Sequence, residues 1–314
     1  MTPLISLVVL GFRQFDRTTG PCLNSLRPWL NDPDLEFIVV DNHSPDDSAD
    51  KTAQWCAQYP NVRCVLSDQN LGFAGGMNLG AQHATGKWLF LVNNDTLFPE
   101  RALDALKIVL SDAPERVAMI GPVTNAAGNG QRLWMPDVSV DEILKLGAYM
   151  HAHPTGHLMP TYRCDFFCIA VRRAVWQSLQ GLDTSFGLGY YEDFDFSMRV
   201  REAGWEQVIT EDVFVLHLGS ATFQASREAK ALMRQNKKLF LRKHPGTRFE
   251  HTREGNWQVL LRYADLKKDG AWSAALEHRL RFRLAALRDD LPKSMLKRWW
   301  WRRRTNGVLS ELIL

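Results

Sequence analysis

The 314-residue sequence has no long hydrophobic run, and none of its apolar segments approaches the roughly 20 residues that a helix needs to span a bilayer. The first apolar segment, Leu4–Leu10, lacks a preceding basic stretch and a small-residue cleavage site, so we expect no signal peptide. With 45% hydrophobic and 23% charged residues, the composition is that of a globular chain with a sizeable core.

Cysteine is scarce, and its spacing argues against a zinc site. The five cysteines include no C-x-x-C pair, and Cys164 and Cys168 lack the second pair that a structural zinc site requires. Buried, reduced thiols are therefore the expected state, which favours the cytosol.

Two common nucleotide-binding motifs are also missing. No G-x-x-x-x-G-K-[ST] phosphate loop occurs, and the dinucleotide fingerprint G-x-G-x-x-G should follow the first strand, where only Gly11 is found. The glycines between Gly72 and Gly80 do not have that spacing. They suit either a tight turn with close helix packing or a backbone that lies against a flat nucleotide base.

Positive charge is concentrated near the end of the chain. Residues 278–304 contain ten Lys or Arg and two Asp, a net charge of +8, whereas the remainder carries −5. Three adjacent Trp lie among five cations at 297–304, and four leucines recur at helical spacing before them: Leu280, Leu284, Leu287 and Leu291. We predict that this segment docks on an anionic membrane surface. The alternative is that the leucines pack on the protein and the arginines are solvated.

Short apolar runs alternate with amphipathic stretches over the first 120 residues, which predicts an α/β fold with a mostly parallel sheet flanked by helices. The predicted strands are Leu4–Leu10, Leu35–Val40, Val62–Leu66, Trp88–Val92 and Val117–Ile120, with helices around 48–58, 73–84 and 100–111. Residues 121–163 are expected to form loops. Later predictions are strands at Phe166–Val171 and Val213–Leu216 and helices near 193–203 and 224–243.

Polar residues follow several of these strands. Asp41 follows the second strand, and Asn94 and Asp95 follow the fourth. Because carboxyl ends of parallel strands share one edge of a sheet, we expect these side chains to converge. Each Asp alone is most often a turn former. Together they suit a nucleotide diphosphate, with Asp41 bonded to the base or ribose and Asp95 holding a divalent cation.

A second group of carboxylates begins a predicted helix. Glu192, Asp193 and Asp195 are flanked by two Tyr and two Phe. Acids at a helix start are ordinary caps, but this density indicates a carboxylate at the edge of an aromatic-walled pocket. Such a group could act as a general base toward a sugar hydroxyl. His217, after another apolar run, is either a structural histidine or a further metal ligand.

Six segments in order resemble the inverting family 2 glycosyltransferases of the GT-A fold, and within them the rhamnosyltransferase-like group. The resemblance covers roughly residues 4–240 and rests on VVDNHSPDDS at 40–48, NLGFAGGMNLG at 70–80, LVNNDT at 91–96, GLDTSF at 181–186, YYEDFDFSMRVREAGW at 190–205 and the His217 segment.

The resemblance implies roles for the nucleotide side of the site. Asp41 would contact the base, and the turn at 70–78 would close around it through Asn70, Gly72, Gly76 and Asn78. Where relatives have Thr-Tyr-Asn, this chain has Gly11, Phe12 and Arg13. There Phe12 would stack on the base and Arg13 would reach a phosphate.

The resemblance also implies a metal site and a base. Asn94 and Asp95 occupy the position of a D-x-D-like motif that holds Mn²⁺ or Mg²⁺, although Asn93 replaces its first Asp. His217 matches a metal-ligand position. Asp193 matches the general base, with Glu192 beside it in support.

We therefore predict a glycosyltransferase that moves a sugar from a nucleotide donor to a hydroxyl of a surface glycan or lipid-linked saccharide. L-rhamnose from dTDP-rhamnose is the first candidate, followed by a UDP-sugar such as UDP-galactofuranose. The alternatives are a sugar nucleotidyltransferase and a non-enzymatic membrane or nucleic-acid binding module. For the preferred function, no nucleic-acid partner is expected.

The predicted organisation is a GT-A catalytic domain at residues 1–245 followed by a helical, basic extension at 246–314. Within the first part, nucleotide-sugar binding is expected in 1–120 and the acceptor and catalytic part in 121–245. The expected location is cytoplasmic, peripheral on the inner face of the cytoplasmic membrane.

Overall fold

The centre of the protein is an eight-stranded sheet with helices on both faces, seen in a computed structural model that describes residues 2–219, 227–247, 249 and 251–313. The strands of the described part are β1 Ile5–Gly11, β2 Leu35–Asp41, β3 Val62–Leu66, β4 Trp88–Asn93, β5 Thr96–Leu97, β6 Val117–Val123, β7 Leu158–Pro160, β8 Cys168–Arg172, β9 Glu206–Phe214 and β10 Leu216–His217.

The helices of the described part are α1 Thr19–Leu26, α2 Ser48–Cys56, α3 Gly72–Gln82, α4 Ala102–Ser111, α5 Val140–Ala152, α6 Arg173–Ser178, α7 Glu192–Glu202, α8 Arg227–Lys243, α9 Thr252–Lys268, α10 Ala274–Asp289 and α11 Met295–Ile313. Short 3₁₀ turns lie at Arg27–Trp29 and Thr184–Phe186. None of the helices within these ranges combines the length and the apolar character needed to cross a bilayer.

The strand order is β3-β2-β1-β4-β8-β6-β9-β7. The first four strands run parallel to one another, as predicted, and β6 pairs parallel with β9. In contrast, β8 is antiparallel to both β4 and β6. The start of β8 therefore lies beside the end of β4, at the edge where the parallel strands finish.

Strand β1 shows why the predicted strands are almost continuously apolar. All seven of its residues are buried. Leu7 and Val9 pack into the core cluster that contains Leu23 of α1 and Leu106 of α4, whereas Val8 packs on the other face. A strand covered on both faces needs apolar side chains at successive positions.

The expectation that residues 121–163 are loops was wrong, because they contain α5 and β7. Helix α5 begins with a capping box in which Ser139 and Glu142 exchange side-chain and backbone hydrogen bonds of 3.3 and 3.0 Å. The sequence Ser-Val-Asp-Glu carries that S-x-x-E signal. The surrounding Gly, Pro and Asn residues obscured it.

The C-terminal helices pack on the body of the protein. Leu280 and Leu287 are buried in an apolar cluster with Ile209 of β9 and Met150 of α5. The leucine stripe thus faces protein, and its predicted role in membrane docking was wrong. Helical periodicity shows that one face is apolar and does not show what covers it. The domain boundary at residue 245 stays a prediction.

Buried charge attaches these helices to the sheet. Glu211 of β9 is fully buried, and its carboxylate accepts hydrogen bonds from Arg283, at 2.7 Å, and from the Tyr263 hydroxyl. Arg279, also fully buried, donates to the backbone oxygens of Glu211, Met150 and His153 at 2.8–3.1 Å. The alternative in which the arginines are solvated is therefore wrong for Arg279 and Arg283. Inside the core, Arg283 forms an ion pair and Arg279 binds backbone carbonyls.

We expect Arg283→Met to destabilise the protein by about 3–5 kcal/mol, because it leaves a buried carboxylate without its cation. The matched control is Arg281→Met on the same helix, since Arg281 is exposed and lies 3.9 Å from Glu277. Its expected loss is below about 1 kcal/mol. Urea unfolding measures both. Equal losses of unfolding free energy in the two variants would show that the buried ion pair stabilises the protein no more than the exposed one.

Candidate active site

A cleft of about 980 Å³ opens at the edge where β1 and β4 end. Its walls combine the ends of β1 and β4 and the segments that follow the first four strands with residues from 125–128, 163–167, 188–194 and the His217 segment, and with Met233 and Phe249. Among the predicted site residues, those lining it are Phe12, Asn70, Gly72, Asn94, Asp95, Glu192, Asp193 and His217. Both predicted carboxylate groups therefore face one space.

The end of β4 is fixed by hydrogen bonds. The Asn94 amide donates to the hydroxyls of Thr18 and Thr19 at 3.1 and 2.9 Å. Asp95, which follows, is only 6% exposed. Asn93 lines the same cleft, and its buried side-chain oxygen has no hydrogen-bond partner among the residues that the structure describes. A buried acceptor of this kind is suited to a ligand that brings a donor or a positive charge.

His217 reaches Asp95 because two short strands pair. In the β5–β10 ladder, His217 lies opposite Thr96, the residue next to Asp95. The imidazole Nε2 is 3.3 Å from Asp95 Oδ1, and Nδ1 is 3.0 Å from the carbonyl of Ala126. Burial opposes a charge on the imidazole, but the hydrogen bond and the negative charge of Asp95 outweigh it and raise the pKa of His217.

The residues around Asp95 fit a divalent cation. An imidazole whose Nδ1–H donates to a carbonyl presents Nε2 as a ligand atom, which is the usual arrangement of metal-binding histidines. Nε2 of His217 and Oδ1 of Asp95 are close enough to share one ion. Within the described ranges, no cluster of three or more His, Cys, Asp or Glu is arranged to hold a metal. Two protein ligands suit a cation whose other ligands are phosphate oxygens and water.

The turn at 70–78, called the nucleotide-side turn below, is held by side-chain amides. Asn42 donates to the carbonyl of Gly72 at 3.0 Å and accepts from the backbone of Leu71 at 3.0 Å. Asn70 accepts from the Gly72 N–H at 2.9 Å. Phe12 lines the cleft nearby, and the Arg13 guanidinium lies 4.9 Å from the Phe12 ring centroid. Stacking of Phe12 on a base and contact of Arg13 with a phosphate stay predictions.

Two of the predicted nucleotide-binding residues make packing contacts in the structure, and their contact with a nucleotide stays a prediction. The Asn78 amide donates to and accepts from the Leu182 backbone, at 2.8 and 2.9 Å, so it ties α3 to a distant loop. A Cβ on Gly76 would stand 2.5 Å from Leu10, so this glycine lets α3 pack tightly on β1. Both residues take part in helix packing. Close packing was one of the two roles that the sequence suggested for the glycine-rich segment, the other being contact with a nucleotide base.

Asp41 and Gly11 lie at the paired ends of β2 and β1. Asp41 is 1% exposed, and its two carboxylate oxygens accept hydrogen bonds from the backbone and hydroxyl of Ser44 at 2.8 and 2.6 Å. Ser44 in turn accepts from the Arg13 backbone at 2.8 Å. Asp41 thus organises the turn that carries Phe12 and Arg13, and its direct contact with a base stays a prediction.

The other side of the cleft carries the predicted base. Asp193 lies in the first turn of α7, where the positive end of the helix dipole favours a carboxylate. Its Oδ1 accepts from the Phe194 N–H at 2.7 Å. Burial, followed by the negative charge of Asp165, raises the pKa of Asp193 to about 6, against the opposing effect of Arg163. The group is then still ionised near neutral pH and more basic than an ordinary Asp.

Glu192 is the neutral member of this pair. It is 5% exposed, and its buried Oε2 has no hydrogen-bond partner within the described part of the chain. Burial and the neighbouring charge of Asp193 raise the pKa of Glu192 to about 8. Two neighbouring carboxyl groups in a poorly solvated site do not both ionise readily, so the pair retains one proton. The larger rise in pKa is that of Glu192, which places this proton on Glu192 and the negative charge on Asp193.

Arg163 and Asp165 also line the cleft and were not predicted. They form an ion pair, and the Arg163 guanidinium lies 5.1 Å from the ring centroid of Phe194. The available signal was a pair of charges just before the apolar run Phe166–Val171. We assigned ligand residues to strand ends, whereas antiparallel β8 brings its beginning to the ligand edge.

The mostly parallel sheet with helices on both faces is the architecture predicted for a GT-A fold. The sequence model of the family described as "Glycosyl transferase family 2" matches residues 14–177, and the chain belongs to that family. The predictions of an α/β GT-A fold and of membership in family 2 are confirmed.

Among curated relatives, the chain is similar to the N-acetylglucosaminyl-diphospho-decaprenol L-rhamnosyltransferase of Mycobacterium tuberculosis strain H37Rv. The two are 24% identical over 212 residues, covering 58% of this chain and 66% of the relative. The match thus spans just under two thirds of the relative's length.

Two solved structures share the fold. A mannosyltransferase from Pyrobaculum calidifontis, in complex with GDP-Man and Mn²⁺, has a TM-score of 0.54 at 16% identity, covering 100% of this chain and 87% of its own. TarS residues 1–349 from S. aureus, in complex with UDP, has a TM-score of 0.51 at 14% identity, covering 84% and 72%.

We expect Asp165→Asn to move the acid limb of the kcat/KM profile to lower pH by roughly half a unit to one unit. Removing a negative charge near Asp193 lowers its pKa, so the base remains ionised in more acidic solution. The pH dependence of sugar transfer measures this. Asp34→Asn, which removes an exposed carboxylate outside the cleft, is the control. An acid limb that stays in place or moves upward in Asp165→Asn would contradict the assignment.

Proposed function

We propose that the protein is an inverting glycosyltransferase that moves a sugar from a nucleoside diphosphate donor to a hydroxyl of a saccharide acceptor. One observation carries the proposal. Asp193, a half-buried carboxylate next to the buried Glu192, lines the same cleft as the Asp95–His217 pair. A general base and a phosphate-side cation site are what one-step displacement at an anomeric carbon needs.

In the proposed reaction the acceptor oxygen attacks the anomeric carbon while Asp193 takes its proton. Phe194 N–H binds Oδ1, which leaves Oδ2 to face the acceptor hydroxyl. The bond between the anomeric carbon and the diphosphate oxygen breaks, and its electron pair leaves with the nucleoside diphosphate. Attack from the side opposite the leaving group inverts the anomeric centre.

A divalent cation, Mn²⁺ or Mg²⁺, would be held by Asp95 and His217 and would neutralise charge on the departing diphosphate. The unpartnered Asn93 oxygen in the same wall supports a positively charged or hydrogen-donating ligand there. Asn94 holds the turn in place through Thr18 and Thr19.

For the donor we propose L-rhamnose from dTDP-rhamnose, with a UDP-sugar such as UDP-galactofuranose as the second choice. For the acceptor we propose a lipid-linked saccharide or a surface glycan. The similarity to the mycobacterial N-acetylglucosaminyl-diphospho-decaprenol L-rhamnosyltransferase supports both choices.

A pair of variants tests the two halves of the site separately. We expect Asp193→Asn to lower transfer by about 10²-fold or more while Mn²⁺-dependent binding of the nucleotide sugar is retained. We expect Asp95→Asn to weaken that binding, because the cation loses its carboxylate, and His217→Ala to weaken it less. Calorimetry with each candidate donor and the transfer rate measure the two effects. Near-normal turnover of Asp193→Asn, or unchanged metal dependence in Asp95→Asn, would contradict the corresponding role.

We further propose that the enzyme works in the cytoplasm, peripherally on the inner face of the cytoplasmic membrane. Because the leucine stripe is buried, we propose that the docking surface is the first half of α11. There four apolar side chains are about half exposed or more, namely Met295 at 86%, Leu296 at 81%, Trp299 at 59% and Trp300 at 49%.

Cations surround this surface, and α11 is anchored to the protein through another face. Lys293, Lys297, Arg298, Arg302 and Arg303 are exposed around the apolar side chains. Trp301, Val308 and Leu312 are buried in the core cluster of the C-terminal helices. Trp side chains favour the headgroup layer, and each cation near an anionic leaflet contributes about 1 kcal/mol. An anionic lipid surface therefore matches both the charge and the aromatic character of this face.

We expect the full-length protein to sediment with phosphatidylglycerol vesicles at low salt and not with phosphatidylcholine vesicles. The variant Trp299→Ser/Trp300→Ser should bind about tenfold less, the loss expected for roughly 1.4 kcal/mol. Ile108→Ser, at a site 65% exposed on α4, is the matched control for removing surface hydrophobicity. Equal sedimentation of the double variant and the wild type, or no sedimentation of the wild type, would contradict the proposal.

A further inference from the structure

The loop that leads into α7 has an unusual backbone. Gly187, Gly189, Tyr190 and Tyr191 have φ values of +69°, +149°, +75° and +77°. Bulky residues such as Tyr rarely adopt positive φ, and such a conformation persists only where surrounding contacts impose it. Because Tyr191 is immediately followed by Glu192 and Asp193, this segment, 186–191, sets where the first turn of α7 begins. We call it the base loop.

One side chain from another helix binds three carbonyls of the base loop. The Asn236 amide of α8 donates to the backbone oxygens of Phe186, Gly189 and Tyr190 at 2.7, 2.8 and 3.2 Å. Asn236 is 2% exposed, so water does not compete for these bonds. A buried amide that joins both ends of a strained loop restrains it far more than a surface contact would.

Helix α8 is itself fixed to α7 at a different point. Lys243 and His244 contact the buried carboxylate of Asp195 at 2.5 and 3.0 Å, and His244 Nδ1 lies 3.0 Å from Glu202. Phe240 stacks on Phe194 with 4.5 Å between ring centroids. These contacts keep α8 in place without Asn236. The hydrogen bonds of the Asn236 amide therefore act on the base loop and are not what attaches α8 to α7.

We propose that Asn236 is the positioning residue for the general base, acting through the base loop on Asp193. The inference rests on the function proposed above for Asp193. Asn236 touches neither proposed substrate. It fixes the backbone from which Glu192 and Asp193 start, and so it fixes the distance between the carboxylate and the acceptor hydroxyl. Misplacement of a catalytic group by about 1 Å can lower the rate by about 10²-fold.

The test compares Asn236→Ala, Asn236→Asp and the control Gln235→Ala. Gln235 is the exposed neighbour on the same helix. Asn236→Asp keeps the shape but places oxygens against three carbonyls. We expect kcat to fall about 10- to 100-fold in Asn236→Ala and further in Asn236→Asp, with calorimetric affinity for the nucleotide sugar and Mn²⁺ unchanged. The acid limb of the kcat profile should also shift in Asn236→Ala, because the surroundings of Asp193 change. Gln235→Ala should match the wild type in every measurement.

The outcomes separate this inference from the proposed function. Absence of transfer by the wild type with every candidate donor would overturn the proposed function itself. Active wild type with an unchanged kcat in Asn236→Ala would overturn only the positioning role. A parallel loss of kcat, donor affinity and melting temperature would also overturn it, since Asn236 would then be needed for the fold as a whole. Asn236→Ser, which keeps one small donor, guards against misfolding of the other variants. The kcat of Asn236→Ser should lie between those of Asn236→Ala and the wild type. Failure of both Asn236→Ser and Asn236→Ala to fold would count against the proposal.

Discussion

The carboxylate of Glu211, buried in the last long strand of the sheet, is a constraint on which much of the structure depends. A buried ion is costly unless cations and hydrogen-bond donors surround it, and these come from the C-terminal helices: Arg283 and Tyr263 bind the carboxylate, and Arg279 binds the adjacent carbonyl. Arg283 also donates to the carbonyls of Gly130 and Arg132. The residues just before them, Asn125 to Gly128, line the cleft. The C-terminal helices thus hold in place a segment next to one wall of the cleft.

The carboxyl groups inside the cleft are also compensated, by nearby cations or by a proton. Asp193, Glu192, Asp165 and Asp95 would repel one another strongly if each were ionised in isolation. Arg163 neutralises Asp165, a proton neutralises Glu192, and His217 lies against Asp95. The negative charge left over is placed on Asp193, the proposed general base. A cation at Asp95 would take the place of a proton on His217.

Much of the nucleotide half of the fold could be predicted from the sequence, because strands buried on both faces leave long apolar runs and their carboxyl ends converge by geometry. The contribution of β8 could not, since nothing local in Phe166–Val171 says that the strand runs antiparallel. Arg163 and Asp165 were missed for that reason. The packing role of Asn78 was missed because an amide beside a glycine run suits a ligand and a loop equally well. The leucines of α10 were misassigned because an apolar helical face is the same pattern whether protein or lipid covers it.

Gly72 links the two halves of the enzyme. It has φ of +68°, and a Cβ at this position would lie 2.1 Å from the carbonyl oxygen of Gly187. The nucleotide-side turn and the base loop therefore meet backbone against backbone, and the Phe73 N–H donates to the carbonyl of Leu188 beside them. The three atoms nearest to that Cβ all belong to the backbone of Gly187 and Leu188. If donor binding displaced the turn, the movement would therefore pass directly to the backbone of the loop before Asp193.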